Sequence, residues 1–126
     1  MSVVGIGTDI IEIARITQMK TKAREKLAQR VLTAQELMQY QNLQESPAFL
    51  AKRWAAKEAA SKALGRGIAD GISFQHFEIS SLASGQPILT LSARALTIAQ
   101  ELGASSWHIT IADEKHYATA FVVLSG

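Results

Sequence analysis

The chain has 126 residues, enough for one domain with its own core. It contains no cysteine, which excludes disulfides, thiolate metal sites and a cysteine nucleophile. Net charge is only +2, but the cations are clustered: Arg15, Lys20, Lys22, Arg24, Lys26 and Arg30 face a single Glu25, and Lys52, Arg53, Lys57, Lys62 and Arg66 form a second group. No stretch approaches the roughly 20 apolar residues of a membrane span. The N-terminus lacks the basic segment and long apolar core of a secretory signal, so a cytoplasmic location is expected.

Val3 to Gly7 reads as a short buried strand, in which Gly5 and Gly7 permit close backbone approach or an unusual turn. Too few glycines follow for a dinucleotide fingerprint. Asp9 falls at the end of this strand, where it suits the N-cap of a helix starting near Ile11, with Ile13 and Ile16 on its buried side. A second helix is predicted over about 23–31. Thr33 and Glu36 have the spacing of a capping box opening a helix to about Asn42. Ser46 and Pro47 then start a long, alanine-rich helix. Phe49, Leu50, Trp54, Ala55, Ala59 and Leu64 supply its apolar contacts, and Gly65 ends it. Residues 66–72 form a loop. Phe77 to Ser81 and Ile88 to Leu91 read as strands joined by the turn Ser84-Gly85-Gln86-Pro87. Ser92 caps a helix to about Leu102, closed by Gly103. Trp107 to Ala112 and Tyr117 to Leu124 are the last two strands, around the turn Asp113-Glu114-Lys115. Hairpin-joined strands with helices gathered together favour an α+β domain over 1–126, a mainly antiparallel sheet against one long helix and shorter ones.

The long helix carries Arg53, Lys57, Glu58 and Lys62 four and five residues apart, which places them along one side. Cations offset phosphate charge and a carboxylate is a hard oxygen ligand, so this row suits a phosphate compound held with a divalent metal. The plain alternative is a solvated face with a Glu58–Lys62 pair.

Two segments decide between these readings: Gly7-Thr8-Asp9 and Lys57-Glu58-Ala59-Ala60-Ser61-Lys62-Ala63. Together they resemble the signature of the holo-[acyl-carrier-protein] synthases, the small bacterial phosphopantetheinyl transferases. Thr33-x-x-Glu36, Gly85-x-Pro87 and Tyr117-Ala118-x-Ala120 add lesser matches, so the resemblance spans nearly the whole chain.

That resemblance implies Mg2+-dependent transfer of 4′-phosphopantetheine from coenzyme A to a serine of apo acyl carrier protein, serving fatty-acid biosynthesis. It implies a homotrimer with active sites at subunit interfaces. Asp9 and Glu58 become the magnesium ligands, and Lys62 meets the diphosphate. Arg53 and Lys57 bind coenzyme A phosphates. Gly65 and Gly67 let backbone approach the nucleotide, a role compatible with a helix cap and turn, and Gly85 and Pro87 shape a turn near it. The proton acceptor is Glu58, a magnesium-bound water or Glu36, although Thr33 and Glu36 are favoured as a structural box. The acidic carrier protein would dock on Arg15, Lys22, Lys26 and Arg30, with Met19 as apolar anchor. One departure stands out: Thr110-Ile111-Ala112-Asp113 puts Asp113 where many members have a histidine. His116 is read as an ordinary turn residue and His108 as a packed strand residue, while His76 has no supporting motif. A nucleic-acid-binding protein is the main alternative, opposed by the modest net charge and the lack of aromatic–basic interleaving. A non-catalytic carrier-protein-binding module is opposed by the presence of both carboxylates.

Overall fold

The computed structural model describes residues 1–126. The chain forms β1 (Val3–Glu12), α1 (Ala14–Thr17), α2 (Thr21–Val31), α3 (Ala34–Asn42) and α4 (Pro47–Ala63). A 3-10 turn (Phe74–His76) leads into β2 (Phe77–Ser81) and β3 (Pro87–Leu91), followed by α5 (Ala93–Glu101), β4 (Ser106–Asp113) and β5 (Tyr117–Ser125). β1, β5 and β4 make one antiparallel sheet with β5 in the centre, and β2–β3 is a separate hairpin.

α4 starts where the sequence predicts. The Ser46 hydroxyl accepts from the Phe49 N–H at 3.2 Å, satisfying one of the donors that a helix leaves free, and Pro47 occupies a first-turn position that needs no donor. Its alanines are buried nearly all round, from Ala51 through Ala63, because the helix is wrapped by the sheet and by the other helices. The sheet face against it is equally small: Ala118 and Ala120 of β5 are buried beside Val122 and Leu124. On β1 the approach is tighter still. A Cβ on Gly7 would overlap the Ala59 carbonyl oxygen and sit 2.6 Å from the Ala63 nitrogen, and one on Gly5 would strike the Ala63 carbonyl. These glycines serve the close approach of a strand to a helix backbone.

β1 is longer than predicted. It continues past Gly7 to Glu12, with Asp9 opposite Ala120, and the Thr119 hydroxyl bonds the Asp9 carbonyl at 2.9 Å. Asp9 is therefore a mid-strand residue and caps no helix. The Ile13 N–H bonds the His116 carbonyl at 2.8 Å, so the partner strand holds this stretch extended until α1 begins. Ile16 is buried as expected, and Ile13 is half-buried.

The other face of the sheet is uncovered. Ile6 and Ile10 are each 62 % exposed, with Phe121 and Tyr117 beside them on β5 at 42 % and 41 %. No helix is long and apolar enough to cross a membrane.

Candidate active site

Alternation along β1 turns Asp9 to the same side as Gly5 and Gly7, toward α4. There its Oδ1 accepts from Lys62 Nζ at 2.8 Å, and the same ammonium reaches the Thr8 carbonyl at 3.1 Å. Lys62 remains half exposed, so this pair lies at the mouth of the site. Glu58 is one turn earlier on α4. Burial, and then the Asp9 charge, push its carboxyl above the ordinary glutamate range, while Lys62, Arg30 and Arg15 pull the other way. Two segments about fifty residues apart thus converge on one cluster of two carboxylates and a lysine, with two arginines within electrostatic reach.

The donor set fits a hard divalent cation. Asp9 and Glu58 are oxygen donors on facing elements, and no group of three histidine, cysteine or acidic residues surrounds the position. Carboxylate oxygens are the donor type that hard divalent cations take, usually with waters completing the shell.

The row of charges on α4 is in fact two rows. A helix turns about 100° per residue, so Arg53 and Lys57 point away from Glu58 and Lys62. Lys57 is fully buried. Its ammonium donates to Glu36 Oε1 at 2.6 Å and to the Val31 carbonyl at 2.6 Å, so the expected phosphate contact is ruled out by burial. Arg53 lies on the same side. Its guanidinium sits 4.5 Å over the Phe49 ring, and Nε is 3.9 Å from Glu36 Oε2 without a hydrogen-bond partner. The structure brings neither residue to the Asp9–Glu58 cluster. Burial holds both cations below their ordinary ranges, against the charge of Glu36.

Glu36 accounts for this. It completes the capping box, accepting from the Thr33 N–H at 2.9 Å, and its other oxygen accepts from the Ile79 N–H at 2.8 Å. With Lys57 on it and no exposure, Glu36 is excluded as the proton acceptor. The capping box was legible in sequence. Its lysine was not, although a lysine amid Ala55, Ala56, Ala59 and Ala60 was a signal of burial.

The other expected residues are spread out. Gly65, at φ +80°, and Gly67 carry the chain out of α4 into open space. Gly85 lies in the β2–β3 turn and Pro87 opens β3, lining a cleft of about 90 Å³ with Trp107 and His108. No hydrogen bond or ion pair joins that turn to Asp9, Glu58 or Lys62. Asp113 ends β4 with Lys52 at 3.7 Å. His116 is exposed in the following turn, and His108 is exposed on the outer sheet face rather than packed. His76 Nδ1 accepts from the Ser73 N–H at 3.2 Å, closing the 3-10 turn.

Arg15, Lys22, Lys26 and Arg30 are all exposed on α1 and α2. Arg15 is seated 4.9 Å over the Trp54 ring and Arg30 5.3 Å over Phe74. Arg24 points the other way, donating to the Tyr40 hydroxyl at 3.1 Å and to the Glu45 carbonyl. Met19 is half-buried and lines a cleft of about 460 Å³ with Thr21, Leu37, Tyr40 and Gln44.

Residues 5–122 match the family described as the 4′-phosphopantetheinyl transferase superfamily. The chain is 51% identical over 124 residues to the holo-[acyl-carrier-protein] synthase of Photorhabdus laumondii subsp. laumondii, covering 98% of each chain. Its fold is similar to the crystal structure of the holo-[acyl-carrier-protein] synthase from Neisseria meningitidis, with a TM-score of 0.88 and 36% identity, covering 99% of this chain and 100% of that one. It is also similar to the Helicobacter pylori synthase in complex with coenzyme A, with a TM-score of 0.82 and 32% identity, covering 95% and 99%.

Proposed function

Because the chain belongs to the holo-[acyl-carrier-protein] synthases of the 4′-phosphopantetheinyl transferase superfamily, we propose that it transfers 4′-phosphopantetheine from coenzyme A to a serine of apo acyl carrier protein. The observation that carries this reading is the meeting of Asp9, Glu58 and Lys62. Their charges match a diphosphate and the cation that accompanies it.

Magnesium would be held by Asp9 and Glu58, where it supplies charge neutralisation at the diphosphate. Lys62 exchanges its hold on Asp9 for the diphosphate of coenzyme A. It stabilises the charge left on adenosine 3′,5′-bisphosphate as the bond between the two phosphates breaks. The carrier-protein serine Oγ forms a bond to the pantetheine-bearing phosphorus, and the leaving phosphate takes the electron pair of the broken bond. Glu58 takes the serine proton, directly or through a water.

Arg15 and Arg30 stand close enough to influence Glu58, so an acidic partner docked on them, on Lys22 and Lys26 and against Met19 would present its serine beside the site. The uncovered face of Ile6, Ile10, Phe121 and Tyr117 supports assembly of copies into a homotrimer. Such assembly would bring Gly65, Gly67, Gly85 and Pro87 to bear on coenzyme A across subunits. The enzyme would act in the cytoplasm, in fatty-acid biosynthesis.

The test is mass spectrometry of apo acyl carrier protein incubated with the protein, coenzyme A and magnesium. The expected result is a mass gain of one phosphopantetheine, abolished by chelator and by Glu58→Ala. No gain with carrier-protein binding retained would replace the transferase with a docking module.

A further inference from the structure

Lys57 stands next to Glu58 in sequence, yet it faces a different, fully buried side of α4. Every group it touches belongs to another element. The Val31 carbonyl is the last residue of α2, which carries Lys22, Lys26 and Arg30. Glu36 is in the first turn of α3, and Glu36 itself reaches Thr33 and, through the Ile79 N–H, strand β2. Thr33 in turn donates to Glu78 of β2 at 2.6 Å. Glu36 and Lys57 are both fully buried, and their bonds leave neither without a partner. A short, fully enclosed ion pair of this kind has few alternative geometries, because any other rotamer would strand a charge in the core.

We propose that Lys57 is a positioning residue: by binding Glu36 and the end of α2 it fixes the rotation of α4, so that Glu58 faces Asp9 and the basic helix α2 stays in register with the site. The inference rests on the transferase reading above. It assigns Lys57 a role distinct from a phosphate ligand, because the ammonium has no access to solvent. Rotation of α4 about its axis is the motion that would separate Glu58 from Asp9, and the Lys57–Glu36 bond opposes it from a face about 100° round the helix. The neighbours of Lys57 on that side of the helix, three and four residues away, are Arg53, Trp54, Ala60 and Ser61.

The test compares the wild type with Lys57→Met, Glu36→Gln and the double variant, at a temperature where circular dichroism shows each to be folded. Steady-state kinetics are measured with coenzyme A and apo acyl carrier protein in turn. The expected result is a kcat lower by on the order of 10- to 100-fold in each single variant, with an unchanged KM for coenzyme A. The double variant should be no worse than the worse single, since both act through one bond. A raised KM for coenzyme A at unchanged kcat would make Lys57 a phosphate ligand and overturn the proposal. Lowered melting temperature with unaltered kinetics would reduce it to a core ion pair and overturn it equally. If the singles fail to fold, the double variant, which removes the charge from both sides, decides alone: wild-type kcat overturns, and reduced kcat at unchanged KM supports. Failure of the wild type to modify the carrier protein would sink the transferase reading instead, so the two failures are distinct.

Discussion

Replacing Gly7 by alanine tests the contact on which the site hangs. The new Cβ would meet the Ala63 nitrogen at 2.6 Å and the Ala59 carbonyl carbon at 3.0 Å, and would overlap the Ala59 oxygen. All three are backbone atoms of α4, so no side chain can rotate out of the way. Ordinary contact begins at 3.4 Å, so strand and helix must part by at least about 0.8 Å at the nitrogen and by more at the oxygen. Overpacking of this kind costs about 1–3 kcal/mol. For a domain of this length that lowers the melting temperature by roughly 4–15 °C. Asp9 lies two residues along the same strand face, and its 2.8 Å bond to Lys62 spans the gap being opened. A displacement near 1 Å in a reacting site costs about 100-fold in turnover. The assay is thermal melting by circular dichroism together with the carrier-protein mass assay. Gly103→Ala is the control: its φ of +87° adds a backbone strain that Gly7 lacks, but its Cβ meets nothing, so it should lower stability and leave turnover intact. Wild-type melting and turnover in Gly7→Ala would refute the direct backbone contact and the argument built on it.

Glu58→Gln should abolish turnover yet raise the melting temperature of the metal-free protein at neutral pH. The folded-state pKa of Glu58 is raised, so its ionised form costs stability above that pKa, and the cost disappears as pH falls below the unfolded value of about 4.3. The advantage of the variant should therefore shrink as pH falls through that window, and a constant advantage would contradict the shift. Reversing the charge at Arg15 should raise the KM for acyl carrier protein and leave coenzyme A binding intact, read by steady-state kinetics and calorimetry. An unchanged carrier-protein KM would move the docking surface elsewhere. Placing aspartate at Ile10 and Phe121 together should break the assembly into single chains in sedimentation, since both side chains stand on the uncovered sheet face. An unaltered sedimentation coefficient would mean that copies meet on another face.

Local chemistry made much of this fold legible. Ser46-Pro47, the Thr33–Glu36 box and the Gly85 turn each use side-chain or backbone bonds within a few residues, and each lies where the sequence puts it. The strand ending at Glu12 was not legible, because its pairing partner lies more than a hundred residues away and Asp9 suits a helix cap by propensity. The site shows the same division. Asp9, Glu58 and Lys62 were singled out through spaced motifs, and their side chains lie near one another in the fold. Lys57 was misplaced because its partner is Glu36, twenty-one residues earlier, and the alanines around it hint at burial without saying which residue pairs with it. The exposed apolar face was hidden by alternation, since Ile6, Ile10 and Phe121 pattern like any residues of a packed strand.

The central position of β5 bears on how the protein is born. β1 is made well before its only ladder partner, β5, more than a hundred residues later, and Asp9 waits for Ala120. Until residues beyond Tyr117 emerge, β1 has no pairing and Asp9 has no fixed relation to α4. The helices, whose bonds are local, can form during synthesis, whereas closing so long a loop delays the sheet. A nascent or prematurely terminated chain thus carries the helix bearing Glu58 and Lys62 without the strand that completes the cluster. Competence for chemistry should arrive in one late step, when the final strand slots between the two already waiting for it.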